Sequence, residues 1–295
     1  MRIATIPIFI LEVRADENIA PHTFEYRGAI NITIVIRGDN TNRTIRLRSN
    51  GTMFTVRPNV TLILDNNITL HGHNGNNNTL INVNGGALIM NHGSTIAGNT
   101  RGTGGGGGID VPSGTFTMNG GTISGNKTVD NGGGGVCICG GTFTMIGGII
   151  TGNHAACANE RGGGGVLVHS GTFNMRGGTV SGNTACGLGG GVYRTARGTM
   201  NLTGGIITGN SAKEYGGGVY IQVGYSGGTF TKTGGTITGY NSDRNNGNVV
   251  RDDEGILSRR GHAVYADENR RKETTAGARD NLNTSQNGAV GGWDN

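Results

Sequence analysis

The sequence predicts an all-β fold, a single-stranded parallel β-helix, and three observations predict it. Glycine fills 60 of 295 positions and proline only 4. That combination excludes collagen, which needs proline with a strict triplet, and proline-rich disorder. A block of near-constant sequence recurs: GTFTMNGGTISGN at 114, GTFTMIGGIITGN at 141, GTFNMRGGTVSGN at 171, GTMNLTGGIITGN at 198 and GTFTKTGGTITGY at 228. Within each repeat, short segments alternate apolar and polar residues with the period of two that marks strands with one buried face. The hydrophobic fraction, 34%, is low for a layered globule and suits a thin, elongated core.

The repeat defines the elements in order. Phe116, Phe143, Phe173, Met200 and Phe230 are separated by 27, 30, 27 and 30 residues, so one repeat is one turn of a solenoid. The first strand of each turn carries the inward ladder Ile109, Val136, Val166, Val192 and Val219. The second carries the Phe116 series with Met118, Met145, Met175 and Leu202, and the third carries Ile123, Ile150, Val180, Ile207 and Ile237. Turns rich in Gly and Asn, which tolerate positive φ, join three strands into a coil of triangular section. Phe54, Leu62, Ile68, Ile81, Leu88 and Ile96 extend the ladders backward. About seven regular rungs over 51–240 would form a rod of roughly 30–35 Å at ~4.8 Å per rung.

Asn99, Asn126, Asn153, Asn183 and Asn210 recur just after the third strand and predict a hydrogen-bonded asparagine stack that Tyr240 interrupts. Residues 1–50 are expected to supply N-terminal strands and a cap. Residues 241–295 are expected to supply a last first-strand, GHAVY at 261, and a polar cap over the open rung. Arg194 and Lys232 fall on inward positions, and strand ends that flare outward would spare them burial.

The strings GGGVY and GTFTMxGGTISGN over 106–239, with GHAVY at 261–265, RRKETTAG from 270 to 277 and GGW at 291–293, resemble the glycine-rich repeats of treponemal surface proteins. These are right-handed parallel β-helices of the pectate-lyase-like superfamily. A more distant likeness to chlamydial polymorphic outer-membrane proteins rests on Gly85–Leu88 and Phe116–Asn119. The resemblance implies a right-handed helix at a bacterial cell surface or outside the cell, and it hardly constrains function.

Net charge is +5 with no basic stripe; Arg270, Arg271 and Lys272 sit among Asp267, Glu268 and Glu273, so nucleic acid is not an expected partner. No apolar run reaches the ~18 residues of a transmembrane segment. The opening segment is interrupted by Glu12 and Arg14 and reads as a strand rather than a signal peptide.

A polysaccharide lyase would need acids on neighbouring rungs to hold a cation and a base beside them. Between 66 and 240 the acids are Asp110, Asp130, Glu160 and Glu214. No catalytic residue, metal site or cofactor is therefore expected. Outward positions of the first strand read Asp110, Cys137, Leu167, Tyr193, Tyr220 and Tyr265. Tyr193, Tyr220 and Tyr265 are the candidate ligand-binding residues, as an aromatic platform for sugar rings. The second strand presents Thr115, Thr142, Thr172, Thr199 and Thr229, with Thr117, Thr144, Asn174, Asn201 and Thr231 two residues on. This T-x-[T/N] grid resembles ice-binding β-solenoids.

Cys137 and Cys139 share a strand face with little metal specificity, and Cys157 and Cys186 occupy loops of successive rungs where either free thiols or a bridge would fit. His71, His73 and His92 form a weak metal pattern, and Arg37, Gly38 and Asp39 spell an integrin-type tripeptide. The expected function is a non-catalytic structural or adhesive module whose partners are surface glycans or proteins of host or neighbouring cells. A carbohydrate-binding or polysaccharide-cleaving β-helix is the first alternative, and an ice-binding solenoid the second.

Overall fold

A computed structural model describes residues 6–28, 31–156, 162–222, 227–240, 243–257 and 261–266. Among them every element is a strand, paired in parallel with its counterpart one repeat away, and the strands stack as a β-solenoid of about eight turns. The three ladders expected from the repeat are present. Ile109 pairs with Val136, Val136 with Val166, Val166 with Val192 and Val192 with Val219. Phe116, Phe143, Phe173, Met200 and Phe230 are likewise in register, as are Ile123, Ile150, Val180, Ile207 and Ile237.

The solenoid is longer than the glycine-rich repeat. Ile8–Val13 pairs with Ile32–Gly38 and through it with Val60–Leu64, while Glu17–Ile19 pairs with Arg43–Leu47. The segment expected as strands and a cap thus contributes full rungs. Its first strand leaves Ile8, Phe9, Ile10 and Leu11 between 53% and 64% exposed, because nothing among the described residues stacks on its far side. At the other end Val264–Ala266 pairs with Val219–Ile221, so GHAVY does supply a further first strand. The rest of the expected C-terminal cap, from 267 onward, lies outside the described residues.

A fourth, two-residue ladder was not anticipated. Thr100–Arg101, Lys127–Thr128, His154–Ala155, Thr184–Ala185, Ser211–Ala212 and Val249–Val250 stack immediately after the asparagine positions. They are too short for a period-of-two pattern to register in sequence.

The core is a narrow tube. Phe116 stacks on Phe143 and Phe143 on Phe173, with ring centroids 4.3 and 4.9 Å apart and planes within 10° and 14° of parallel. Beside it runs the asparagine stack, fully buried. Each side-chain oxygen accepts from the backbone N–H of the asparagine one rung earlier, at 3.0–3.2 Å for the acceptors Asn126, Asn153, Asn183 and Asn210. The amide nitrogens of Asn126, Asn153, Asn183 and Asn210 donate onward to the next asparagine and to a core-strand carbonyl. Gly125, Gly152, Gly182 and Gly209, one residue before a ladder asparagine, hold φ of 62°, 61°, 64° and 63°. Glycine enters that left-handed region at no steric cost, which suits it to the first place of the Gly-Asn corner.

The expected interruption at Tyr240 is corrected by the structure. The next place in the stack is taken by Asn248, whose Oδ1 accepts from Asn210 N at 3.0 Å and whose Nδ2 donates to Ile207 O at 2.8 Å. The ladder therefore continues across a step of 38 residues. A buried amide that would otherwise lack its partner makes that continuation worth the insertion.

Arg194 and Lys232 do not flare outward. Arg194 is 1% exposed and donates from its Nη1 to Thr195 O and Gln222 O, at 3.1 and 3.0 Å. Lys232 is 0% exposed and sits in register with Leu202. Its aliphatic stem fills a place that methionine or leucine fills on earlier rungs. Burial pushes the Lys232 ammonium down to about 8. The folded value lies below the unfolded one of ~10.4, so the unfolded chain holds the proton more tightly between those limits and stability rises as pH passes through that window. Lys232→Met is expected to stabilise the protein at pH 7 by on the order of 2 kcal/mol, an advantage that shrinks toward pH 10.5 as the wild-type amine loses its proton in both states. Denaturant titrations at pH 7, 9 and 10.5 check this, and a difference between the two proteins that does not change with pH would contradict it.

Candidate functional site

The outward face of the first strand is where sequence placed a ligand platform, and the structure covers it. Loops ahead of the glycine runs fold back over this face, bringing Leu188 and Tyr215 against Cys137, Leu167, Tyr193 and Tyr220 in a second, smaller hydrophobic cluster. The glycine runs permit the fold-back. A Cβ on Gly133 would lie 1.9 Å from the carbonyl oxygen of Val136, so no other residue lets the chain pass there.

Tyr193 and Tyr220 are consequently only 3% and 6% exposed, and Tyr265 is half-buried. The three are adjacent, as their ladder position required. Tyr220 and Tyr265 lie parallel at 5.8 Å, and Tyr193 meets Tyr220 edge-on at 5.2 Å. Their faces are spent on one another and on Tyr215, 4.5 Å from Tyr265. An open row of rings for sugar stacking is corrected to a packed aromatic cluster. Alternation identified the outward positions, but only the loop path decides whether outward means solvent.

Tyr193 lines a pocket of about 440 Å³ together with Leu167, His169, Arg197, Gln222 and Asn131. The pocket forms where the chain turns from the first strand to the second, at Thr195 and Ala196 on one rung and Gln222 on the next. Tyr193 donates its hydroxyl to Gln222 Oε1 at 3.0 Å, and Thr195 Oγ1 donates to His169 O. The lining offers an imidazole, a guanidinium, two amides and a phenol. Among the described residues it includes no carboxylate. It is suited to holding a polar or anionic group.

The acids singled out from sequence do not converge on a cation site among the described residues. Asp110 is buried, its Oδ2 held by Arg101 Nη1 at 2.9 Å, and burial raises its carboxyl despite that partner. Asp130 and Glu214 are half-buried in their loops, and Glu160 lies outside the described residues. The histidines act locally: Gly75 N donates to His73 Nδ1 at 3.0 Å, and His71 Nδ1 lies 2.9 Å from Gly72 O. The Arg37-Gly38-Asp39 tripeptide is not presented as an open loop. Arg37 pairs with Glu12 at 3.2 Å and Asp39 with Arg43 at 2.6 Å. Those bonds from Arg43, and then from the Thr41 backbone, hold the Asp39 carboxyl well below the usual range.

The cysteines differ from the expectation. Cys137 and Cys139 are disulfide-bonded to each other, their Cα atoms 5.8 Å apart. Two residues on one strand face are close enough when the second begins the turn out of the strand, as Cys139 does after Val136–Ile138. Cys186 is also disulfide-bonded, and Cys157, the partner a bridge between successive loops would use, lies outside the described residues. Asp110, from the preceding rung, brings its Oδ1 within 3.1 Å of the Cys139 sulfur. Asp110, Cys137 and Cys139 are the one group of three or more metal-ligating side chains that converge among the described residues, with ligand atoms within 4.8 Å of one another. Sequence placed Asp110 and Cys137 on one ladder without revealing that Cys139 closes the triangle.

The threonine grid does form. Thr115, Thr142, Thr172 and Thr199 are in register, as are Thr117, Thr144, Asn174, Asn201 and Thr231. All of them are half-buried or exposed, and Asn201 Nδ2 donates to Asn174 Oδ1 at 2.9 Å. Compared with known proteins, the chain matches no family model, no curated protein and no solved structure.

Proposed function

We propose that this protein is a rigid, non-catalytic scaffold or adhesive module, exposed at a bacterial surface or secreted, that works by presenting a repetitive polar face to surface glycans or to proteins of neighbouring cells. The observation that carries the reading is the in-register T-x-[T/N] grid on the second strands. Hydroxyls and amides repeat there at ~4.8 Å between rungs and ~6.6 Å along each strand. Each contact to a repeating polymer is weak. A face held fixed by a buried asparagine stack pays little ordering entropy on binding, so many weak contacts add. Surface location and kinship with treponemal-type, pectate-lyase-like proteins belong to this proposal and rest on the repeat strings.

A second reading places a glycan in the pocket beside Tyr193, favoured by the converging His169, Arg197 and Gln222. One experiment separates the two. The full chain is applied to an array of bacterial and host surface polysaccharides beside Thr144→Lys/Thr172→Lys and Arg197→Ala/Gln222→Ala variants. The grid reading expects retention that falls at least about tenfold, or 1.4 kcal/mol, in the first variant and stays unchanged in the second. The reverse pattern assigns binding to the pocket, and shortened saccharide products would overturn the non-catalytic reading. Thermal hysteresis of the same samples tests the ice-binding alternative, which uses the same grid.

A further inference from the structure

The buried triangle of Asp110, Cys137 and Cys139 is used by neither reading, and its chemistry is specific. We propose that it is a redox-gated site for a thiophilic divalent cation such as Zn²⁺: closed while Cys137 and Cys139 are bridged, and competent when an external thiol or phosphine reductant opens the bridge. Reduction by a thiol breaks the S–S bond, gives one hydrogen to each cysteine sulfur and converts two molecules of reductant into their disulfide; with a phosphine, water supplies the two hydrogens and the phosphine leaves as its oxide. The cation then displaces one proton from each thiol into solvent and forms two metal–sulfur bonds.

Three features of the geometry point to a cation. The ligand set is two sulfurs and one carboxylate oxygen, a soft donor pair with a harder third, which suits Zn²⁺ and its congeners and disfavours Ca²⁺ or Mg²⁺. The sulfurs need only separate to about 3.8 Å to fit tetrahedral Zn–S bonds of ~2.3 Å, a rotamer-scale change. The carboxylate is already divided between roles. Oδ1 faces the Cys139 sulfur at 3.1 Å while Oδ2 is tied to Arg101 at 2.9 Å. Arg101 would thus orient the metal-binding carboxylate as second-sphere partners commonly do.

Charge balance supports the same assignment. Two thiolates and the Asp110 carboxylate carry three negative charges, which the cation and the Arg101 guanidinium together neutralise. A neutral assembly is what a largely buried site requires. Cys137 and Asp110 are buried and Cys139 is half-buried, so reductant, metal and a fourth ligand from water all reach the site from the Cys139 side. Three protein ligands leave the fourth tetrahedral position to water.

The test uses the full chain carrying Cys157→Ser and Cys186→Ser, so that Cys137 and Cys139 are the sole cysteines. After reduction with a phosphine and its removal under argon, Co²⁺ is titrated as a spectroscopic probe and Zn²⁺ is added in competition. The expected result is a thiolate-to-cobalt charge-transfer band saturating at one equivalent, abolished by Zn²⁺ and absent from the bridged protein. Asp110→Asn, which keeps the side chain's shape, is expected to weaken Co²⁺ binding by roughly ten- to a hundredfold. Mass spectrometry after alkylation is expected to show Zn²⁺ protecting both sulfurs. No band on reduction, or an unchanged affinity in Asp110→Asn, overturns the proposal. Circular dichroism of each reduced sample establishes that the solenoid is intact, and if Asp110→Asn loses that spectrum, Arg101→Gln takes its place with a smaller loss of affinity expected. Failure here leaves the adhesive reading untouched, because no residue of the grid is a ligand of the triangle.

Discussion

Asn153→Ala is expected to lower the unfolding free energy by about 3–5 kcal/mol, more than any substitution on the surface. Asn153 sits mid-stack, fully buried. Its Oδ1 accepts from Asn126 N at 3.0 Å and from Asn126 Nδ2 at 3.1 Å. Its Nδ2 lies within donating distance of Ile123 O (2.9 Å), Thr151 O (3.1 Å) and Asn183 Oδ1 (3.0 Å). Alanine leaves these groups buried with no water to replace the lost partner, at about 1–3 kcal/mol for each left unsatisfied. Asn153→Asp is the informative companion. It preserves the acceptor but turns a negative oxygen toward three acceptors, so it is expected to destabilise at least as much above the carboxyl's pKa. Urea unfolding with an unchanged m-value gives the difference, and a loss under about 1 kcal/mol would mean the backbone ladders alone hold the corner.

Phe143→Ala is expected to cost about 3–5 kcal/mol through lost burial and the cavity it leaves. Phe143 is stacked on both faces, by Phe116 and by Phe173. The ladders fix strand spacing, so neighbouring rungs have little freedom to close onto the gap. Phe143→Leu, which restores most of the volume, is expected to cost less than ~1.5 kcal/mol. Similar losses for the two would show that ring stacking rather than volume governs this column. The same urea series measures both, and limited proteolysis would place the weakened rung, since a solenoid's stability is a sum over neighbouring repeats.

The particular residues show why some of this was legible in one dimension. In a parallel in-register solenoid, position n and position n plus one repeat are spatial neighbours, so periodicity alone names the contacts. That rule places Val136 on Val166, Phe143 on Phe173 and Asn153 on Asn183, as the structure has them. It failed wherever the contact is not one repeat away. Asn248 rejoins the stack after 38 residues, because a buried amide selects its partner by hydrogen bonding and not by spacing.

The candidate site divides along the same line. Repeat length, the three main ladders over 51–240 and the existence of a threonine grid were determined by the sequence by itself, since each follows from period and alternation. Only the tertiary structure decided that Tyr193 and Tyr220 are covered, that Tyr193 opens on a pocket with Arg197 and Gln222, and that Asp110 meets Cys139. The physical reason is the same in each case. Loops ahead of the glycine runs and the turns after the first strand are held by packing and by bonds to the next rung, and neither leaves a periodic trace.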